Sequence, residues 1–441
     1  MQSESAVRNS GTRTRTLNIL LYLLLLAAGA QFIVRGPLRF LQAPGTWNDL
    51  SQNYVGSRLW LTGKNPCDPN NFVQLWRSEG RSHLDVSDIR THLAPPLGTL
   101  VLLAPIAALP WPVAKITWLV ILLLAFVLAI CFLFRAAGFR IHEPRGILFL
   151  GAALALAPFH TGFSSGNSSI LVIAVCVIAI GAAGVGRDVS AGILLGIASS
   201  LKPQIGALFV LYYLLRQRWR IFFIASGLTV ALALLAALSL QLHTPGWSHD
   251  YIDHAKGFVT ADKIDDFRAD NPIRFTLINL QVPLYAFTGA ASTANILALS
   301  LGGILLCVWM YFVLRSAKKN TDWLGLSAIA VLGLLPVYHR FYDAAVLILP
   351  LYWSLTCVGG KLRRDAIVAL ILMTSFLFPG AAWLQSLVLQ GRISEAIVHS
   401  WYWDRLVMPH EVWTLLLLSL VLLFAMAVRQ RDHARPFDAS S

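Results

Sequence analysis

The chain has 441 residues, 56% of them hydrophobic and only 13% charged, with a formal net charge of +13. That balance excludes a soluble domain with one apolar interior and a wetted exterior, and apolar runs of roughly 20 residues are those of helices crossing hydrocarbon. No alternating apolar–polar pattern of the kind a membrane barrel needs appears, so the expected fold is an all-α integral membrane protein.

Residues 1–16 read as a basic cytoplasmic tail containing Arg8, Arg13 and Arg15, and an apolar run follows over 17–34. The run opens like a signal peptide, with small residues at Ala28 to Ala30, but continues to Val34, which favours an uncleaved anchor. Either choice leaves the next loop, 35–93, outside. Further apolar runs lie near 113–134, 146–160, 167–184, 189–201, 203–215, 221–240, 292–314, 322–337, 342–358, 364–388 and 411–428. They predict about twelve spans in a single domain over 17–428, with both termini in the cytoplasm and a tail at 429–441.

A further run, "APPLGTLVLLAPIAALPW" at 94–111, breaks that parity if it crosses. Its prolines at 95, 96, 105 and 110 favour a re-entrant or interfacial helical piece packed against protein.

Arginine and lysine cluster in short connections, at Arg135/Arg140/Arg145, Arg216/Arg218/Arg220, Arg315/Lys318/Lys319, Lys361/Arg363/Arg364 and Arg429/Arg431/Arg435. Cytoplasmic turns carry such clusters, so the positive charge reports orientation and a nucleic acid is not an expected partner. The same parity gathers the loops 35–93, 163–170, 199–204, 241–290, 338–343 and 389–410 on the opposite, outer face. Convergence of polar and ionisable residues at span ends marks a functional site, because such groups are costly there unless used or paired. The five cysteines, Cys67, Cys131, Cys176, Cys307 and Cys357, form no disulfide framework or metal motif.

In the first outer loop, "NDLSQNYVGSRLWLTG" (48–63) has the spacing of an interfacial helix closed by Gly63. Asp49 then reads either as a first-turn acid complementing the helix dipole or as a general base at the membrane edge. Lys202, before Pro203 at the outer end of an apolar run, either snorkels to headgroups or meets a phosphate. Arg340 in "YHRFYD" can take two phosphate oxygens. His339 and Asp343, four residues apart, share a face if the turn is helical, as a structural pair or as a hydroxyl- or phosphate-binding one. Arg274 is a spare phosphate candidate or a headgroup contact. "HDYIDH" sets His249 against Asp253 and Asp250 against His254 at helical spacing; no third ligand converges, so an interfacial helix is preferred and no metal or other cofactor is assigned.

The ordered series "NDLSQNY", "LTGKNPCD", "APPLGTLVLLAPIAALP", "SGNSSILVIAV", "AGILLGIASSLKPQIGALFVLYYLLRQRWR" and "YHRFYDAAVLILPL" resembles glycosyltransferase family 87, of the GT-C superfamily. The resemblance covers most of residues 17–360 and implies a membrane transferase using a polyprenyl-phosphate sugar, mannose, with inversion and without a metal. Given that chemistry, Asp49 is the expected base, by its spacing and by the resemblance, with Lys202, Arg340 and Arg274 expected toward the donor phosphate and Asn48, Trp47, Tyr54, Asn167, His339 and Asp343 as donor or acceptor contacts. A lipid or glycan hydroxyl on the outer face of the cytoplasmic membrane is the implied acceptor. Cys67, Leu93 and the Gly166-Asn167-Ser168 triplet depart from the family pattern, which leaves the acceptor unassigned. A transporter or lipid flippase, and a lipid-linked oligosaccharide ligase or polymerase, are the rival readings; oligomeric state is not readable.

Overall fold

A computed structural model describes residues 2–42, 48–79, 95–257, 265–271, 273–316 and 321–434. Among them the protein is helical throughout, with one isolated bridge between Leu277 and Arg340. Among the described residues, six helices are long and apolar enough to cross a membrane: Asn18–Gln42, Trp111–Ala136, Trp219–His243, Ala291–Arg315, Arg363–Leu389 and His410–Arg431. The protein is thus an all-helical, multi-pass membrane protein.

The count differs from the expected dozen in an informative way. The run expected at 146–160 is a bent pair, Pro144–Ala155 and Ala157–Ser165, joined at 43°. Pro158 has no N–H to offer the carbonyl of Leu154, and the His160 ring reaches it through Nε2 at 2.6 Å instead. Six other apolar helices are short: Leu97–Ala107, Ser169–Gly184, Asp188–Leu201, Pro203–Leu215, Trp323–Leu332 and Phe341–Cys357. At 1.5 Å per residue, a helix of 10 to 17 residues rises only ~15–26 Å, less than the ~30 Å hydrocarbon thickness. They are interior elements. Ser169–Gly184 is buried on nearly every side, whereas the Trp219–His243 helix turns Phe223, Val230, Leu234 and Leu238 outward. Long helices with lipid-compatible faces therefore pack around shorter, more buried ones.

Lys202 stands at the start of Pro203–Leu215 and Arg216 at its end. Asn167 bonds the start of Ser169–Gly184, and near its end the Ala183 carbonyl accepts from Arg218, which also pairs with Asp188. Asp322 caps the start of Trp323–Leu332 and holds Arg429 through two bonds, at 2.7 and 2.9 Å, with Tyr212 Oη 3.3 Å from the Asp322 amide. Partly buried ion pairs thus tie the end rich in basic loops, while Asn167, Lys202 and the turn after Trp323–Leu332 come together at the other.

The segment 94–111 forms the helix Leu97–Ala107 with Pro105 inside, broken at Ala108–Pro110 from the helix that starts at Trp111. Arg58 Nη1 binds the carbonyls of Ala107 and Leu109 at 2.7 and 3.2 Å, satisfying the chain where that short helix ends.

Candidate active site

The first-loop helix runs Asp49–Leu61, and Gly63 follows it in the left-handed region at φ +69°. Asn48 starts it: its Oδ1 accepts from Ser51 N at 2.9 Å and from Ser51 Oγ at 2.8 Å. Asp49 is therefore the first residue of a capped helix, partly exposed, between buried Asn48 and Leu50.

Opposite it lies the turn 165–169. Helix Ala157–Ser165 ends at Gly166 with φ +64°, and a Cβ there would stand 2.6 Å from Phe40 Cε2 and 3.2 Å from Leu50 Cβ. Only glycine fits both the backbone conformation and the space. Trp118 Nε1 donates to the Gly166 carbonyl at 2.8 Å. The turn delivers Asn167, whose Oδ1 accepts from Ser169 N at 2.8 Å and whose Nδ2 donates to Asp49 Oδ2 at 2.7 Å. The amide orientation is fixed by this pattern, since only the NH₂ side can donate to a carboxylate. Among the described residues no donor reaches Asp49 Oδ1.

Behind Asn167 is a buried charge cluster. Pro203 disfavours helix for the residue before it, and Lys202 takes φ −150°, ψ 83°, which ends one helix and begins the next. Its Nζ lies 2.5 Å from Asp343 Oδ1, 2.6 Å from Ser169 Oγ and 3.4 Å from Asn167 Oδ1, with the Tyr342 ring centroid at 4.8 Å. Three acceptors engage its three N–H donors. Ser169 Oγ is within 2.5 Å of both Asp343 Oδ1 and Asn167 Oδ1; having one proton, the hydroxyl donates to one of them at a time.

His339 and Asp343 meet without the helical register expected of them. Arg340 is extended, and a 3₁₀ turn begins at Phe341. Asp343 Oδ2 nonetheless accepts from His339 Nδ1 at 3.0 Å and from Arg340 N at 3.3 Å. The proton on Nδ1 leaves Nε2 as the other ring nitrogen, buried and without a partner among the described residues.

The second large loop closes on the same turn, with Ile278 N donating to the His339 carbonyl at 2.9 Å. The Arg340 side chain extends from there: Nε donates to Tyr338 Oη at 2.6 Å and Nη2 to Asp265 Oδ1 at 3.2 Å. Asp265 also lies near enough to Asp49 for their charges to repel.

Of the residues singled out from sequence, Asp49, Asn167, Lys202, His339, Arg340 and Asp343 thus come together. Tyr54 sits farther along its helix, buried, its one O–H proton shared between the Leu109 carbonyl at 2.8 Å and Glu79 at 3.3 Å. Asn48 is engaged in the cap. Arg274 pairs with Asp404 at 2.7 Å and covers the Phe275 ring. Trp47 lies outside the described residues. In "HDYIDH", Asp250 accepts from Asn65 at 2.7 Å, and no group of three metal-ligating side chains occurs among the described residues. Sequence reasoning did not single out Ser169, Asp265, Tyr338 or Tyr342. The first, third and fourth stand within segments it quoted, and the acidic doublet Asp265-Asp266 in the second outer loop was the available signal for the other.

A partly exposed carboxylate oriented by an amide, beside a buried lysine and a reachable arginine at the span ends of a multi-pass protein, suits transfer chemistry on an anionic lipid substrate. The model of glycosyltransferase family 87 matches residues 94–338, more than half of the chain. The chain belongs to that family and is a membrane glycosyltransferase. No curated protein matches it. Membership favours glycosyl transfer over the transporter reading. The matched stretch contains Asn167, Ser169, Lys202, Asp265 and Tyr338; Asp49 precedes it and His339, Arg340 and Asp343 follow.

Proposed function

We propose that the protein moves mannose from a polyprenyl-phosphate donor to a hydroxyl of a lipid or glycan acceptor, at the outer face of the cytoplasmic membrane, with inversion at the anomeric carbon. Asp49 is the general base. The acceptor O–H gives its proton to the carboxylate as its oxygen attacks the anomeric carbon from the side opposite the phosphate. The bond to phosphate breaks, and polyprenyl phosphate leaves with the electron pair.

The observation that carries this reading is the Asn167–Asp49 hydrogen bond, which engages one carboxylate oxygen of a partly exposed side chain and leaves the other without a donor among the described residues. A base so oriented accounts for roughly 10²–10⁴-fold of rate. Arg340 stabilises the departing phosphate by charge-assisted hydrogen bonds. Lys202 adds positive potential from behind while its N–H groups hold Asn167 and Asp343. His339, buried with its proton held on Nδ1 by Asp343, keeps Nε2 as an acceptor for a sugar hydroxyl that penetrates to it.

The test is incubation of purified protein and membrane lipids with radiolabelled polyprenyl-phosphate mannose. Label should pass to a second lipid or glycan species and unlabelled polyprenyl phosphate should accumulate. Consumption of a diphosphate-linked sugar instead would select the ligase or polymerase reading.

A further inference from the structure

Asp265 and Arg340 form the most accessible ion pair of the site. Their side chains are 19% and 21% exposed, against 0% and 11% for Asp343 and Lys202, so the first pair is the more open to an incoming ligand. The two partners come from different segments, Asp265 from the second large loop and Arg340 from the turn before Phe341. Neighbouring Asp266 is turned away into its own loop, accepting from Arg268 N at 2.9 Å, which leaves Asp265 facing Arg340.

Charge balance gives the pair its meaning. Three carboxylates, Asp49, Asp265 and Asp343, stand against two basic side chains, Lys202 and Arg340, an acidic excess that opposes entry of a phosphate. Lys202 is held by Asp343, Ser169 and Asn167, so Arg340 is the cation whose partner an entering anion can replace. A carboxylate and a phosphate present the same pair of acceptor oxygens to a guanidinium. Asp265 is also a reluctant anion: burial pushes its carboxyl above the ordinary range, Arg340 and the Tyr338 hydroxyl pull it back, and Asp49 adds repulsion.

We infer that Asp265 is an internal stand-in for the donor phosphate on Arg340, displaced when a lipid phosphate binds, and so sets donor affinity by competition. The inference rests on the phosphate role given to Arg340 above. It makes Asp265 a positioning residue acting through Arg340: it parks the guanidinium in the empty site and yields it to the ligand.

The experiment measures binding of polyprenyl monophosphate, with inorganic phosphate as a second probe, to the full chain in phosphatidylcholine nanodiscs. Wild type, Asp265→Asn, Arg340→Gln and the double variant are compared at one pH. Competition predicts that Asp265→Asn binds polyprenyl phosphate more tightly, by roughly two- to fivefold, the range a partly exposed ion pair spans. The gain must vanish in the Arg340→Gln background. Weaker or unchanged binding by Asp265→Asn, with wild type binding normally, overturns the stand-in role and leaves the transferase reading in place. A gain that persists without Arg340 reduces Asp265 to a general repulsive charge and also overturns it. Absence of saturable polyprenyl-phosphate binding in all four proteins overturns the donor assignment and this inference together. Inorganic phosphate following the same pattern would place recognition in the headgroup alone, still in support.

Discussion

The side-chain amide of Asn167 donates to Oδ2 of Asp49 across 2.7 Å, joining residues 118 positions apart in the chain. The bond links the first-loop helix to the turn at Gly166 and makes the orientation of the carboxylate a property of the interior. Replacing Asn167 with Ala should lower kcat by roughly tenfold to a hundredfold, the scale expected when a reacting group is displaced by about an ångström. KM for donor should change little. Asn167→Asp should be no better, because a carboxylate cannot donate to Asp49. Steady-state kinetics of the two variants check this, and an Asn167→Ala enzyme with wild-type kcat would remove Asn167 from the orienting role.

Much of this arrangement was legible in the sequence. Apolar run lengths, basic clusters and proline positions give an all-helical membrane fold, and residues 95–111 hold a short helix that breaks before Trp111. The number of spans was not readable. Hydropathy responds equally to lipid and to protein interior, so Ser169–Gly184 and Pro203–Leu215 look like spans although they are too short. Convergence of Lys202 with Asp343 depended on Pro203 and the 3₁₀ turn at Phe341, and local spacing reports neither partner across so long a chain separation. Tyr54 illustrates the reverse case: an aromatic near the catalytic candidate that the fold uses to bind Leu109.

The Lys202–Asp343 pair should be worth far more to folding than its distance from solvent suggests. Removing one partner leaves an uncompensated buried charge, so Lys202→Met or Asp343→Leu alone should destabilise by about 3–5 kcal/mol. Changing both together should restore part of that loss. Thermal unfolding in detergent of the two single variants and the double variant measures it, and additive losses would show that the pair does not act as a unit.

At Gly166 the backbone is left-handed and Phe40 fills the space a Cβ needs. Gly166→Ala should cost about 1–2 kcal/mol from backbone conformation alone, with the contact to Phe40 adding to it. The variant should also lose activity, because the same turn carries Asn167. A lowered unfolding midpoint together with reduced transfer is the expected pair of results; unchanged values for both would contradict the close packing of this turn.

Cys67 is 1% exposed in the first loop, and burial, with Asp250 nearby, raises its thiol to about 12. A raised thiol stays protonated at the pH where an ordinary cysteine begins to form thiolate, and the thiolate is the reactive form. A water-soluble maleimide at pH 8 should therefore label Cys67 slowly in the folded protein and readily after denaturation. Mass spectrometry of the labelled peptide decides the point, and rapid labelling of the native protein would place Cys67 in an open environment.

The central claim is that the Asp49 carboxylate takes the acceptor proton. Its most direct measurement is single-turnover mannosyl transfer from radiolabelled polyprenyl-phosphate mannose by wild type and Asp49→Asn, with donor binding measured on the same preparations. The account predicts that the variant binds donor like wild type and transfers roughly 10²–10⁴-fold more slowly. Transfer at the wild-type rate by a folded Asp49→Asn enzyme would contradict it.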